Sequence, residues 1–441
     1  MDAVWVRGSS ASEIADSVEG GISSRRLAPG ERLPTVRALA ERLGVSPATV
    51  HAAYRVLRER GLIAGSGRAG TRVVDRALVR SRRLAAPVAA GVRNLADGNP
   101  DPALLPALRP ALERLSGRRW LYGEPGQLPA LHDWARGDLL RDGLPADDVL
   151  VVGGAMDGVE RALSAHLRPG DAVAVEDPGY GGVLDLLPVL GLRGVPVPVD
   201  ARGMTPDGLA RALEQRPQAC VLTPRAQNPT GAALSPARAA ELADLLADHP
   251  PVLVVEDDHA GPISGVEPVT VAGRGGSPRW AVIRSLTKTL GPDIRMAVLA
   301  GDRQTVNRVE RRQQAGAGWV SHILQELAAA ILTDPATVEL IATARNAYAD
   351  RRGWVRDALA GRDIEILGDS GFNMWLPVVA ESDIRDALLA QGWAVRAGES
   401  FRSVSRPGLR VTVSTLTRSD AAEFASAVDV AVRGRAGSPT A

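Results

Sequence analysis

The chain has 441 residues and a single lysine; the rest of its 52 Lys plus Arg are arginine. It has one cysteine, which excludes an internal disulfide framework and a zinc site built on thiolates. Cys220 lies in the apolar run "ACVLTP" and reads as a small buried hydrophobe. No apolar run reaches the roughly 18 residues of a membrane helix. The N-terminal "MDAVWVRGSSASE" lacks the apolar stretch of a secretory signal. The expectation is a cytoplasmic protein with no membrane partner. The formal net charge is +1, so the chain as a whole is not a polyanion binder, and any nucleic-acid surface must be local. What remains is ordinary for a soluble globular chain, with 45% hydrophobic and 23% charged residues. Its length calls for more than one domain.

The position that kept its lysine is Lys288, in "SLTKTLGPDIRM" (285–296). Arginine serves as well in surface charge, exposed ion pairs and phosphate contacts. It cannot lose its proton and attack a carbonyl, whereas a lysine amine can once burial or a nearby cation lowers its pKa. Chance retention of one lysine is the plain alternative. Imine chemistry at Lys288 is the sharper one, and its neighbours decide between them.

Residues 1–75 differ in pattern from the rest of the chain. "SEIADSVEGGISSRRL" (12–27) spaces Ile14, Val18 and Ile22 on one helical face. Thr35 is placed to cap a helix over 35–43 that ends at Gly44. Ser46 caps a second helix with Pro47 at its first position. That helix should bury Val50, Tyr54 and Leu57 and stop at Gly61. "LIAGSGRAGTRVV" then reads as two short strands around a glycine-rich turn. Two helices on a tight turn and then a hairpin make a winged helix-turn-helix. The stretch "LPTVRALAERLGVSPATVHAAYRVLRERGLI…GRAGTRV" resembles the GntR family. The resemblance implies that helix 46–59 enters the major groove of operator DNA, with Ser46, Thr49 and His51 facing it. Arg37 would reach the phosphate backbone and Arg68 the minor groove or a phosphate from the wing tip. Singly, Arg68 also reads as a solvated charge. Many relatives have Arg where this chain has Pro47, so one expected contact lacks its residue. Residues 76–93, "RALVRSRRLAAPVAAGVR", carry five Arg and no acid and read as a linker. The tail 433–441 reads as disordered, with residues 436–441 outside the last domain.

From 94 to 435 strands alternate with helices, which argues for a parallel or mixed sheet covered on both faces. In such folds ligands sit beyond the carboxyl ends of the strands, and each further motif falls there. Arg295 comes seven positions after Lys288 and can pair with an anion; Ser285 and Thr287 offer hydroxyls. An aldehyde that also carries a phosphate fits this set, namely pyridoxal phosphate. That cofactor needs a carboxylate on its pyridine nitrogen, for which Asp257 in "VVED" is suited. Asn228 in "QNPTG" can bond the ring oxygen, and Tyr180 in "EDPGY" can stack on the ring. Gly154, Ala155 and Met156 open a helix directly after a strand and can hold the phosphate with backbone amides. Taken one at a time, Asp257 is an ordinary strand-end acid, Tyr180 a core aromatic, and Arg295 a surface charge. Their joint order around the sole lysine favours the cofactor.

These motifs resemble fold-type I aminotransferases over residues 94–435. Fused behind the GntR-like module, they resemble the MocR group of transcriptional regulators. The resemblance implies an N-terminal winged helix-turn-helix plus an α/β fold-type I domain, with a large doubly wound sheet and a smaller C-terminal α+β subdomain. It implies a homodimer and an internal aldimine between pyridoxal phosphate and Lys288. It further implies an effector that is an amino compound or the cofactor itself. Arg410 in "LRVTVS" would take a carboxylate, and Tyr122 would reach the phosphate of a neighbouring subunit. Relatives commonly have Tyr where this chain has His259, whose charge varies near neutral pH, and a cofactor contact by His259 is one of two readings. Relatives also often have His at Ala226. Asn228 is the residue of working aminotransferases, where many regulators carry an aromatic. The expected function is a ligand-responsive, DNA-binding regulator; the alternative is a working aminotransferase with an accessory DNA-binding module.

Overall fold

The structure, a computed structural model, describes residues 6–24, 26–28, 30–59, 62–65, 70–73, 88–273 and 278–436. Three helices open the chain: α1 (Ala11–Ser23), α2 (Val36–Leu43) and α3 (Pro47–Glu59). Local chemistry sets their ends. Ser10 and Thr35 accept from the amides of Glu13 and Ala38, satisfying donors that a helix N-terminus leaves open. Gly44 closes α2 at φ 66°, the left-handed conformation that costs glycine least. Ile14, Val18, Val50, Tyr54 and Leu57 are fully buried together, as their spacing predicts. Tyr54 also donates its hydroxyl to Pro34 O at 2.8 Å, tying α3 to the start of α2. The hairpin of β1 (Ile63–Ala64) and β2 (Arg72–Val73) is antiparallel, with Ile63 opposite Val73. The wing tip, with Arg68, lies outside the described residues, as does most of the span read as a linker.

That span ends in structure. β3 (Arg93–Leu95) begins one residue inside it and runs parallel to a strand near the C-terminus. Arg93 packs over the Trp393 ring and pairs with Asp420 and Glu423. The large sheet comes next, from β4 (Val149–Val152), β5 (Ala172–Asp177), β6 (Arg193–Asp200), β7 (Gly203–Met204), β8 (Ala219–Leu222), β9 (Leu253–Asp258), β10 (Trp280–Ser285) and β11 (Ala297–Gly301). Its order is β4-β11-β10-β9-β8-β5-β6-β7. The pairings from β10 through β6 are parallel, while β11 is antiparallel to both its neighbours. A small sheet, ordered β12-β14-β13-β3, joins β3 to β12 (Asn373–Pro377), β13 (Trp393–Ala397) and β14 (Gly408–Thr412). The smaller subdomain therefore contains the entry of the chain as well as its C-terminal part. Helix Arg418–Ala436 runs through part of the segment expected to be a disordered tail.

The two faces of the large sheet separate with the period of two that a pleated strand imposes. Ala174, Cys220, Val254 and Val282 enter one apolar cluster, on the side of helix Pro129–Arg141. Val173, Val221, Val255 and Ile283 enter the other, under helix Ala155–His166. Strands buried on both faces are the mark of a sheet covered by helices on each side. Cys220 is fully buried, with its thiol 3.8 Å from Met204 Sδ.

Helix Ala155–His166 lies close to the sheet at Gly158. A Cβ there would stand 2.9 Å from Ile283 Cγ2 and 3.3 Å from Val152 Cγ2. Gly158→Val should lift this helix, costing about 1–3 kcal/mol from overpacking. The check is a urea titration beside the parent protein, where an unchanged midpoint would show that the contact is not limiting.

Candidate functional site

The carboxyl ends of β9 and β10 sort their last residues by the same alternation. Asp257 and Ser285 belong to the face of helix Ala155–His166, and Asp258 and Arg284 to the opposite face. Just past β10, helix Thr287–Leu290 carries Lys288. Its Nζ donates to Gly98 O at 2.8 Å and lies 5.4 Å from the centre of the Phe372 ring. Burial, with help from the Arg410 and Arg295 charges, lowers the Lys288 pKa from 10.5 to about 8, against the pull of Asp97 and Asp257.

Two of the residues expected at the phosphate, Gly154 and Arg295, stand against each other. Gly154 caps helix Ala155–His166 at φ 108°, and a Cβ on it would sit 3.0 Å from Arg295 Nη2. Only a residue without a side chain lets the Arg295 guanidinium stand against the first turn. The amides of Ala155 and Met156 belong to the turn that has no intrahelical acceptor. The Ser285 and Thr287 hydroxyls bond each other at 2.8 Å. Tyr180 begins helix Gly181–Val189 directly after β5. Its turn is tied down by Gly179 N, which donates to Phe401 O at 2.7 Å.

Arg410, on β14, is buried, with its guanidinium over the Phe401 ring at 4.9 Å. Burial, reinforced by Arg396, pushes its pKa down to about 10. Its Nη1 points to Asn228 Oδ1 at 3.4 Å, its Nη2 donates to Ala96 O, and its Nε has no hydrogen-bond partner. Among the described residues no carboxylate forms an ion pair with it. His259 turns Nε2 to Ala226 O at 2.7 Å, and burial, with the nearby Lys288 charge, lowers its pKa to about 4. The charge expected to vary near neutral pH is thus held off, and the imidazole is neutral. Tyr122 is 94% exposed and packs edge-on to Trp319.

In the N-terminal module Arg37, Ser46 and His51 are exposed and Thr49 is half-buried. Ser46 Oγ accepts from Thr49 N at 3.1 Å and bonds Thr49 Oγ1 at 2.8 Å. Both hydroxyls are therefore engaged in starting the helix.

Residues 90–428 match the family "Aminotransferase class I and II", and residues 10–73 match "Bacterial regulatory proteins, gntR family". The chain is 42% identical over 428 residues to the vitamin B6 salvage pathway transcriptional repressor PtsJ of Salmonella typhimurium, covering 94% of this chain and 96% of that one. The chain belongs to the MocR group of gntR-family regulators. This regulator is also 28% identical to the HTH-type transcriptional regulator TauR of Rhodobacter capsulatus, over 91% of each chain. Its fold is that of kynurenine aminotransferase from Pyrococcus horikoshii, with a TM-score of 0.72 and 20% identity over 79% of this chain and 92% of that one.

The cofactor of the regulator's larger domain is pyridoxal phosphate, and the residues present fit it. They combine an amine of lowered pKa, a Cβ-free helix start facing an arginine, and a buried guanidinium with an unsatisfied Nε. Reading the sequence missed two features of this surround. One is the segment Ala96–Gly98, whose carbonyls receive Arg410 and Lys288; only "DGNP" hints at it. The other is a buried ion cluster behind the strand ends. Arg225 grips Asp258 through Nε and Nη2, both at 2.8 Å, while Arg284 reaches Asp258, Asp138 and Asp142 at 2.9, 2.6 and 2.6 Å. Burial alone would raise the Asp258 pKa, but the two guanidiniums outweigh it and hold the carboxyl well below its usual range.

These charges lead to two expected outcomes. Protonated Lys288 is penalised by folding, so its contribution improves as pH rises between about 8 and 10.5, where the unfolded chain still holds the proton. Capture of pyridoxal phosphate by cofactor-free protein should accelerate about tenfold per pH unit below pH 8 and level off above it. Stopped-flow absorbance reads this; a rate still climbing at pH 10 would mean an unshifted amine. Separately, Asp258→Asn leaves two buried guanidiniums short of a partner and should cost about 3–5 kcal/mol in urea unfolding.

Proposed function

We propose that the chain is a homodimeric repressor that binds operator DNA through α3 and the wing, with pyridoxal phosphate as its effector. The observation that carries this reading is a lysine site of the aminotransferase fold joined to a winged helix, in a chain 42% identical along 94% of its length to a repressor of vitamin B6 salvage. A cytoplasmic location accords with a DNA partner. Exposed Leu108, Leu112 and Ile323 lie on two helices that pack together, and exposed Tyr122 packs on Trp319, four residues before Ile323. This apolar face supports a second copy, which Tyr122 would enter to reach its cofactor phosphate.

Pyridoxal phosphate supplies an aldehyde that an amine can capture and a pyridine ring that withdraws electrons when protonated. Lys288 would be the capturing amine. Asp257 would hold the proton on the ring nitrogen, and Tyr180 would cover the ring. Asn228 would donate to the ring oxygen, with neutral His259 beside it. Ser285, Thr287, Arg295 and the amides at 154–156 would hold the phosphate, and Arg410 would take the carboxylate of an amino compound.

Lys288 Nζ, which donates to Gly98 O at 2.8 Å, would have to give up that bond to capture an aldehyde. Gly98 is three residues past β3, where the chain arrives from the DNA-reading module. The occupant would thereby be sensed by the segment that follows β3, on the side of the domain's first strand. A ligand switches a protein only if it binds two states unequally, and this exchange of partners gives the states different contacts. A repressor of a supply pathway should bind DNA more tightly when the product is plentiful.

Binding to the DNA upstream of the gene itself, at fixed salt, tests the reading. The cofactor should tighten specific binding at least tenfold. Lys288→Ala should lose both that response and the absorbance of bound cofactor while still binding DNA. Arg37→Ala should weaken binding, keep the absorbance and reduce the salt dependence. Specific binding indifferent to the cofactor would remove pyridoxal phosphate as effector. Buried Arg410, without an acidic partner among the described residues, favours a second reading, a working aminotransferase. Sustained turnover of an amino acid with a keto acid would establish it.

A further inference from the structure

Two residues proposed to contact the cofactor ring stand on turns from different strands. Tyr180 closes the turn after β5, and Asn228 lies in the segment after β8. Between these turns is Gln227, which has no exposed surface. Its Nε2 donates to Glu176 Oε2 at 3.1 Å and to Pro178 O at 2.8 Å. Its Oε1 accepts from Thr230 N at 3.0 Å and from Thr230 Oγ1 at 2.6 Å. A side-chain amide has two N–H donors and two acceptor lone pairs, so all of its capacity is used. Glu176, also buried, gives its other oxygen to Thr223 N at 3.2 Å, just past β8. The backbone of Gln227 closes the Asn228 loop as well: Gly231 N donates to Gln227 O at 2.6 Å, and Gln227 N donates to Ala232 O at 3.0 Å. One residue thus folds the loop that carries Asn228 and reaches across to the turn that carries Tyr180.

The pattern of donors decides which side chain can do this. Pro178 O and Glu176 both require an N–H, and Thr230 requires an acceptor. Glutamate has nearly the same shape, but an ionised carboxylate has no donor. It would also set a second carboxyl against Glu176, whose pKa burial already raises to about 7, against the pull of the Thr223 and Gln227 donors. With every polar atom engaged, Gln227 has nothing left to offer a ligand. Any effect it has on the cofactor passes through Asn228, its neighbour in the chain, and Tyr180, two residues past Pro178. Arg410 already points to Asn228 Oδ1, which leaves the Asn228 amide N–H groups for the ring oxygen.

We propose that Gln227 is a positioning residue for the cofactor: braced on Glu176, it fixes the spacing between the Tyr180 turn and the Asn228 loop, and with it the tilt of the ring held between them. This role rests on the placement of Tyr180 and Asn228 at the ring proposed above. Groups supported by a buried, fully satisfied network keep their geometry whether or not a ligand is bound.

Two measurements on protein loaded with pyridoxal phosphate test the brace. Circular dichroism in the absorption band of the bound cofactor reads the orientation of the ring, and dilution reads how fast the cofactor leaves. Gln227→Glu and Gln227→Ala should still take up the cofactor. The dichroic signal per bound cofactor should fall to about half or less, and release should be about tenfold faster, the scale of one lost buried hydrogen bond. Glu176→Gln, whose single carbonyl oxygen can accept from Thr223 N or from Gln227 but not from both, should shift both readouts the same way by less. If the Gln227 variants do not fold, Glu176→Gln decides. In an Asn228→Ala background the effect of Gln227→Ala should shrink, because the two residues act through one contact. A merely structural role would lower the urea midpoint and leave both cofactor readouts unchanged. That result, or an effect of Gln227→Ala that is equal with and without Asn228, would overturn the proposal. If Asn228→Ala by itself changes neither readout, the placement of Asn228 fails and the brace with it. If Asn228→Ala changes them and Gln227→Ala does not, the brace alone fails.

Discussion

Asp258 receives two buried guanidiniums, and the geometry of the site depends on that arrangement. Arg284 is its direct neighbour across the β9–β10 pairing, and Arg225 comes from the segment after β8. Each of these residues is close in sequence to one proposed to face the cofactor. Asp258 comes directly after Asp257, Arg284 precedes Ser285, and Arg225 lies three residues before Asn228. Fixing one face of the strand ends fixes the other, because a strand that slips by one residue exchanges its faces. Taking such charges from water is expensive, and a buried pair is seldom a net gain in stability. What the cluster provides is register: with Asp138 and Asp142 it holds helix Pro129–Arg141 to the sheet as well.

On the cofactor side the charge balance is different. Lys288, Arg295 and Arg410 sit together, and their mutual repulsion adds to burial in lowering the lysine pKa. Opposing them are Asp97 and Asp257. The excess of cations is what a phosphate and a carboxylate would neutralise. Burial first, and this excess with it, raises the fraction of neutral amine before anything binds.

Much of this was legible in the sequence. Caps and glycines marked α2, apolar spacing marked the buried faces of α1 and α3, and repeated strand–helix order marked the covered sheet. Lys288 stood out because arginine had taken every comparable position. Other features had no local sign. β3 is three residues long, too short for a periodic pattern, and only its partner near the C-terminus makes it a strand. Among so many arginines, nothing singles out Arg225 or Arg284, since an ion pair is specified by distance and not by type. Gly98 offers a backbone carbonyl, which every residue has. The neutral state of His259 depends on burial and on Lys288, which sequence neighbours do not reveal.

The short segment after β3 links these levels. Leu95 belongs to the small sheet, Ala96 O receives Arg410, and Gly98 O receives Lys288. A Cβ on Gly98 would stand 3.1 Å from the Arg410 guanidinium, and its φ of 73° disfavours other residues. Three residues of this segment are thus held, one by the sheet, one by Arg410 and one by Lys288. Two of those three restraints are on side chains that a ligand would claim for itself. A segment whose restraints are also ligand-binding groups must change its energy when the ligand arrives.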